Sequence, residues 1–405
     1  MMAGLSTAAE ADRARREPIT YALVVIGSGP AGHAAAKAYR TSDGRGPILL
    51  VSADLHLPYN RPALSKDFLR GESAAADLDL EDESFFVENE IEVLLGQRVV
   101  ELRPRQKLLR LDDGESIEFV HCVLATGSQP AALPVDGGNH PELLFLRSRV
   151  DGELLRRRAE QSKSAVVIGS GFIGCEAAVS LATCGLAVTV ISAETSPQAE
   201  RLGDEVAGKI ADWFDEAGVR FVGDASVQSF ESGQKVTLQD GSAHTADLIL
   251  IAAGIEQRAE LAEQAGLDTS EGRIIVDPRM RTSAEGVFAA GDVTRAYNTA
   301  AGRRLSVEHW GDAERMGEIA GNCAAGVDDE WGQLPGFWSE IGGRVLKYAA
   351  WADGYDDIRF IEHGDGAFTA WYGRNGVIVG VLTHDADTDF EDGSSLVEAG
   401  EPFPP

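Results

Sequence analysis

The sequence predicts an α/β protein: two parallel-sheet domains, one inserted in the other, followed by a small α+β C-terminal domain. Three observations carry this. A strand–glycine loop–helix signature stands at residues 21–39, and the same signature recurs at residues 164–178. From about residue 329 the pattern changes to short alternating strands (345–351, 358–362, 367–372 and 377–382) separated by glycine turns. A length of 405 residues suits two or three domains, and the 45 glycines suit a fold rich in tight turns.

Charge narrows the partners. With 65 acidic against 36 basic side chains the net charge is −29, which disfavours nucleic acid and anionic membranes, since both need a basic surface. No apolar run approaches the length that crosses a bilayer. Residues 1–19 are alanine-rich and of mixed charge, without the hydrophobic segment of a secretory signal. They are expected to form a flexible extension of a cytoplasmic protein. The four cysteines, Cys122, Cys175, Cys184 and Cys323, form neither a CxxC pair nor a zinc spacing, so no metal is expected. The stretch from His384 to Asp389 reads as a solvated acidic turn.

In the first signature an apolar strand over 21–26 precedes Gly27-Ser28-Gly29-Pro30-Ala31-Gly32, and an alanine-rich helix follows. Gly27 permits the sharp turn, Gly29 lets a pyrophosphate approach the backbone, and Gly32 lets the helix pack on its strand. The helix N-terminus then turns its positive end to the phosphates. The second signature, Gly169-Ser170-Gly171-Phe172-Ile173-Gly174 followed by Glu176, has the same context, with a strand at 186–191 at the βαβ distance. One GxGxxG is weak evidence. Two, each between a strand and a helix, predict two Rossmann-like dinucleotide-binding domains.

A third element assigns the nucleotides. The strand before Gly291-Asp292 ends in a carboxylate at a turn, suited to a ribityl hydroxyl of a flavin. Ala125-Thr126-Gly127 closes a second strand-end turn, and Gly254 ends a strand and turn at 247–254 of the same form. Together these segments resemble the FAD/NAD-dependent flavoproteins with two dinucleotide-binding domains. The resemblance narrows at Pro58-Tyr59-Asn60-Arg61-Pro62-Ala63-Leu64-Ser65-Lys66, which is similar to the PY-x-RP-x-LSK segment of bacterial [2Fe–2S] ferredoxin reductases (the putidaredoxin reductase type) and apoptosis-inducing-factor-like flavoproteins. The segments Glu308-His309-Trp310 and Phe337-Trp338 agree, and the likeness runs from about Tyr21 into the C-terminal region.

That resemblance implies tightly but non-covalently bound FAD, with NADH preferred to NADPH. It implies hydride passing from coenzyme to flavin, then single electrons passing to a ferredoxin or another small carrier. Arg61 is a fork-shaped cation suited to the pyrophosphate, and Val99 joins the FAD contacts. The resemblance pairs Lys66 with Glu176 beside the flavin as the catalytic groups. It sets Phe172 and Ile173 at the nicotinamide, and Trp310 and Trp338 beside the flavin and the electron exit. Glu308 and His309 begin a helix whose N-terminus faces the flavin pyrimidine. The chain departs from the pattern at Ala53, where an acidic residue would bind the adenosine ribose; Asp54 follows one position later. After the strand ending at Ile191 come Ser192 and Ala193 before Glu194, and that carboxylate favours NADH.

The FAD domain is expected at residues 20–140 and 256–328, the NAD domain at 141–255 and the C-terminal domain at 329–405, with 401–405 unordered. An acidic chain meeting a commonly acidic ferredoxin calls for a local basic patch, for which Arg295, Arg303, Arg304, Arg344 and Lys347 are candidates. The alternatives are an NADH oxidase or quinone or dye reductase on the same scaffold, and a redox-sensing NADH-binding flavoprotein. A homodimer stays open.

Overall fold

The computed structural model describes residues 19–403. The first glycine signature opens a parallel sheet with strand order Ile91–Leu95, Ile48–Ser52, Thr20–Ile26, Ser116–Leu124, Val287–Ala289. Covered on both faces, its central strands are apolar throughout, and Leu23, Val24, Ile48 and Leu49 are fully buried. The antiparallel strands Leu108–Leu111 and Val99–Arg103 continue from the first half of Ser116–Leu124. One face is covered by the helices Pro30–Thr41 and Trp310–Ala324. These helices touch backbone to backbone: a Cβ on Gly317 or Gly321 would lie 2.1 or 2.3 Å from the carbonyl oxygens of Ala31 and Ala35.

The second signature opens a four-stranded parallel sheet ordered Arg220–Val222, Ala187–Ile191, Ser164–Ile168, Leu248–Ile251. A three-stranded antiparallel sheet, Val227–Glu231, Lys235–Leu238 and Ala243–Thr245, packs on it. The chain crosses between the two parallel sheets twice, and the crossings pair: Ser128–Pro130 runs antiparallel to Ile255–Gln257.

The C-terminal region is a five-stranded antiparallel sheet ordered Gly336–Ile341, Arg344–Ala350, Val377–His384, Phe368–Arg374, Asp357–Glu362. Two expectations are corrected here. The acidic stretch after His384 is only briefly a turn; Asp387 and Asp389 fall in the first turn of the helix Asp387–Ala399, where carboxylates favour the positive helix end. Residues 401–403 are docked rather than unordered: the Phe403 ring packs on Gly373, and the Phe403 N–H donates to the Gly376 carbonyl. Residues 404–405 and the expected extension at 1–18 lie outside the described residues. Among the described residues no helix is long and apolar enough to cross a membrane.

Candidate active site

Each glycine loop is fixed by the same contacts. Gly27 and Gly169 take φ of +109° and +104°. A Cβ there would meet the carbonyl oxygens of Ala125 and Ala252 at 2.2 and 2.4 Å, so any side chain is excluded on two counts. Gly32 and Gly174 lie against the carbonyls of Gly27 and Gly169, where a Cβ would sit at 1.8 and 2.2 Å. Gly29 and Gly171 are the open positions: the nearest group to a Cβ on Gly29 is the Arg61 guanidinium at 3.9 Å, and Gly171 faces nothing within 4 Å. Steric exclusion at the first and third glycines with space at the second is the cradle a pyrophosphate requires.

The acidic markers also share one arrangement, which explains the departure at Ala53. Ser28 and Ser52 hydroxyls lie 2.7 Å apart, and Ser52 accepts the Asp54 N–H at 3.1 Å. In the second unit Ser170 and Ser192 lie 2.7 Å apart, and Ser192 accepts the Glu194 N–H at 3.2 Å. In both, a serine pair occupies the strand ends and sets the carboxylate two residues further on. The Asp54 carboxylate accepts from the Tyr59 hydroxyl at 2.8 Å and contacts His56, while Glu194 accepts the Glu200 N–H at 3.2 Å. Burial raises the Glu194 carboxyl above its ordinary range.

Beside the first loop opens a cavity of about 760 Å³, lined by Gly27, Gly29, Pro30, Ala31, Asp54, Arg61, Val99, Ala125, Thr126, Gly127, Gly291 and Asp292. Arg98, Arg147 and Arg258, which the sequence reading did not single out, line it too. Arg61 and Arg258 are both driven below their ordinary range, chiefly by burial. Arg147 donates to Asp292 Oδ2 at 2.8 Å, and Ser128 Oγ donates to the same oxygen at 2.7 Å. A cavity of this size, with a glycine cradle and four guanidinium groups in a chain of net charge −29, fits the pyrophosphate of FAD.

The chain brings Lys66 and Glu176 together from two different units. Lys66 Nζ donates to Glu176 Oε2 at 2.6 Å and to the Pro62 carbonyl at 3.0 Å, and both side chains are buried. Two further donors were missed: Ser65 Oγ reaches Oε2 at 2.5 Å and Ser339 Oγ reaches Oε1 at 2.6 Å. The Lys66 ammonium lies 5.0 Å from the centre of the Trp338 ring, which is 51% exposed. Phe172 stacks edge-on against Phe337 at 4.6 Å, and Phe337 lies 4.7 Å from the His309 ring. Ile173 is exposed beside this group, and Trp310 begins its helix after the cap at His309.

Glu308 does not join this group. Its carboxylate accepts from Arg273 at 2.5 Å and Gln257 at 2.9 Å, so it ties the crossover strand to the neighbouring sheet. The expected basic patch does not form either. Arg295 pairs with Glu271, Arg303 with Asp353, Arg344 with Glu216 and Lys347 with Asp387, and Arg304 lies over the Tyr297 ring. These cations divide between two sheets, and a chain so rich in carboxylates supplies nearly every one of them with a local partner.

Residues 21–317 match the family model described as pyridine nucleotide-disulphide oxidoreductase. The chain belongs to this family. It is 33% identical over 381 residues to the benzene 1,2-dioxygenase system ferredoxin–NAD(+) reductase subunit of Pseudomonas putida, covering 93% of this chain and 92% of the relative. Rubredoxin–NAD(+) reductase of Pseudomonas putida is 32% identical, with 83% and 88% covered. Among solved structures, the covalent putidaredoxin reductase–putidaredoxin complex superposes with a TM-score of 0.88 at 28% identity, over 94% of this chain and 93% of the other. The chain is therefore an oxidoreductase whose family works with FAD and a nicotinamide coenzyme. Its own four cysteines are free, and burial pushes the Cys122 thiol up to about 12. A thiol so hard to ionise is a poor participant in disulfide exchange.

Proposed function

We propose that this chain is an NADH-dependent reductase that holds FAD, non-covalently and tightly, in the arginine-lined cavity and delivers single electrons to a ferredoxin-type iron–sulfur carrier. The observation that carries this reading is the buried Lys66–Glu176 pair, built where the two dinucleotide units meet. When bound, FAD supplies the conversion of a two-electron hydride into single electrons. The chain's residues supply the rest. The first glycine loop with Arg61, Arg147 and Arg258 holds the pyrophosphate, while the second loop and Glu194 hold the coenzyme. Phe172 shields the nicotinamide from water. Lys66, with Glu176 and Pro62 as fixed acceptors, keeps an ammonium where negative charge develops. Glu194 accepts the 2′-hydroxyl of NADH and repels a 2′-phosphate.

In this reading residues 20–140 and 256–328 form the FAD unit, 141–255 the NADH unit and 329–405 the C-terminal unit. The exposed Trp338 indole marks the side on which the carrier docks. Support for the carrier comes from the relatives, whose names include a ferredoxin and a rubredoxin reductase. One observation favours a second reading. The cations near Trp338 are neutralised by ion pairs, which suits a small uncharged acceptor such as a quinone. The deciding experiment is NADH-driven reduction of a panel of ferredoxins and rubredoxins against oxygen and quinone controls. A carrier that raises NADH oxidation well above both controls supports the first reading; quinone turnover that no carrier improves supports the second.

A further inference from the structure

Ser339 lies on the strand Gly336–Ile341, next to Trp338 and 163 residues from Glu176 in the chain. Its side chain is fully shielded, yet its hydroxyl is spent on one acceptor, Glu176 Oε1, at 2.6 Å. The other carboxylate oxygen, Oε2, takes both Lys66 Nζ and Ser65 Oγ. The three donors and their acceptor come from three parts of the fold. Lys66 and Ser65 follow the Tyr59–Arg61 segment, Glu176 sits on the helix Phe172–Thr183 behind the second glycine loop, and Ser339 belongs to the C-terminal sheet. Ser180 Oγ, one turn along the same helix, donates to the Ser65 carbonyl at 2.7 Å and fixes that contact.

We propose that Ser339 is a positioning residue for the hydride step: it holds Glu176 in the orientation that pairs Lys66, so the reactive pair is assembled only with the C-terminal sheet docked. The inference rests on the proposed function and names how its site is held. A carboxylate has two oxygens and several lone-pair directions; fastening Oε1 from the opposite side leaves Oε2 alone to face the lysine. Without the Ser339 hydroxyl, Oε1 loses its donor and the carboxylate is held at Oε2 alone.

The test uses the full FAD-bound chain and Ser339→Ala. Anaerobic reduction by NADH is expected to slow about tenfold at saturation, the loss typical of a charge-assisted hydrogen bond, with half-saturating NADH unchanged. The oxidised flavin absorption spectrum should also differ from that of the unmodified protein at a single pH, a readout that needs no turnover, because the Lys66 ammonium is no longer held in place beside Trp338. Ser339→Thr should restore both. If Ser339→Ala does not fold, Ser339→Cys, close in size and a weak donor, should show the same losses. An unchanged rate and an unchanged spectrum in a folded variant would overturn the proposal, as would a rate loss that tracks a fall in Tm and that Thr does not repair. Should the unmodified protein not be reduced by NADH at all, the functional reading fails, and the flavin spectrum still judges Ser339.

Discussion

The two glycine loops of this chain share a backbone and differ in what surrounds it. Gly27 and Gly169, Gly32 and Gly174, and the serine pairs Ser28–Ser52 and Ser170–Ser192 superimpose contact for contact, down to the strand-end carbonyls of Ala125 and Ala252. The first loop opens on a deep cavity ringed by arginines. The second opens beside Phe172, with Arg201 over its ring at 5.7 Å and Glu194 just past the strand Ala187–Ile191. The cradle that receives a pyrophosphate is therefore a backbone property repeated in both units. In the proposed reading, what distinguishes a tightly held cofactor from an exchanging coenzyme is the number of cations supplied by other segments.

The largest effect should come from the pair that joins the two units. Lys66→Met is expected to slow NADH-driven flavin reduction by about 10²- to 10³-fold, the range seen on removing one preorganised electrostatic contact. Stopped-flow absorbance checks it, and a loss below threefold would show that the ammonium is not used.

The paired substitutions Gly27→Ala and Gly169→Ala separate the loops. Each sets a Cβ on an unyielding carbonyl at positive φ. Gly27→Ala is expected to purify with little flavin and a lowered Tm. Gly169→Ala should keep its flavin but respond weakly to NADH. Equal flavin loss in both would contradict the assignment of one nucleotide to each loop.

Glu194→Gln probes coenzyme choice and should cost less. With the repelling charge gone, the ratio of kcat/KM for NADH over NADPH is expected to fall about tenfold. An unchanged ratio would mean that Glu194 does not meet the ribose.

The smallest effect is alkaline. Burial pushes Tyr59, beside the first loop, and Tyr348, beside the second, up to about 12. Because the folded phenols ionise later than the unfolded ones, their contribution is complete below pH about 10 and is lost as pH rises toward about 12. Tm measured across that window should decline, and Tyr59→Phe should flatten the decline while lowering Tm at neutral pH, since it removes the bond to Asp54.

How far the sequence could be read follows from the same physics. Gly27, Gly32, Gly169 and Gly174 were legible because no other residue fits where they stand. Lys66 and Glu176 were legible only through two motifs, since 110 residues separate them. Arg98, Arg147, Arg258 and Ser339 carry no local pattern; each reaches the site because of where its own element packs. Ser65 stands inside the LSK motif, but nothing in the motif separates its role from that of Lys66. The serine pairs were within reach: the serine of a GSG loop is followed by Ser-Ala-acid 24 residues later in the first unit and 22 in the second, and comparing the units with each other would have found it. The basic patch failed for a different reason, because counting cations along a chain ignores the carboxylates that neutralise them.

The central claim is that NADH, held by the second loop, reduces the flavin held by the first. Anaerobic mixing of the purified yellow protein with NADH tests it most directly. The account predicts saturable bleaching of the flavin band that Gly171→Val suppresses and Gly171→Ala only weakens. Bleaching by dithionite but not by NADH, or bleaching by NADH that is indifferent to the side chain at Gly171, would contradict it.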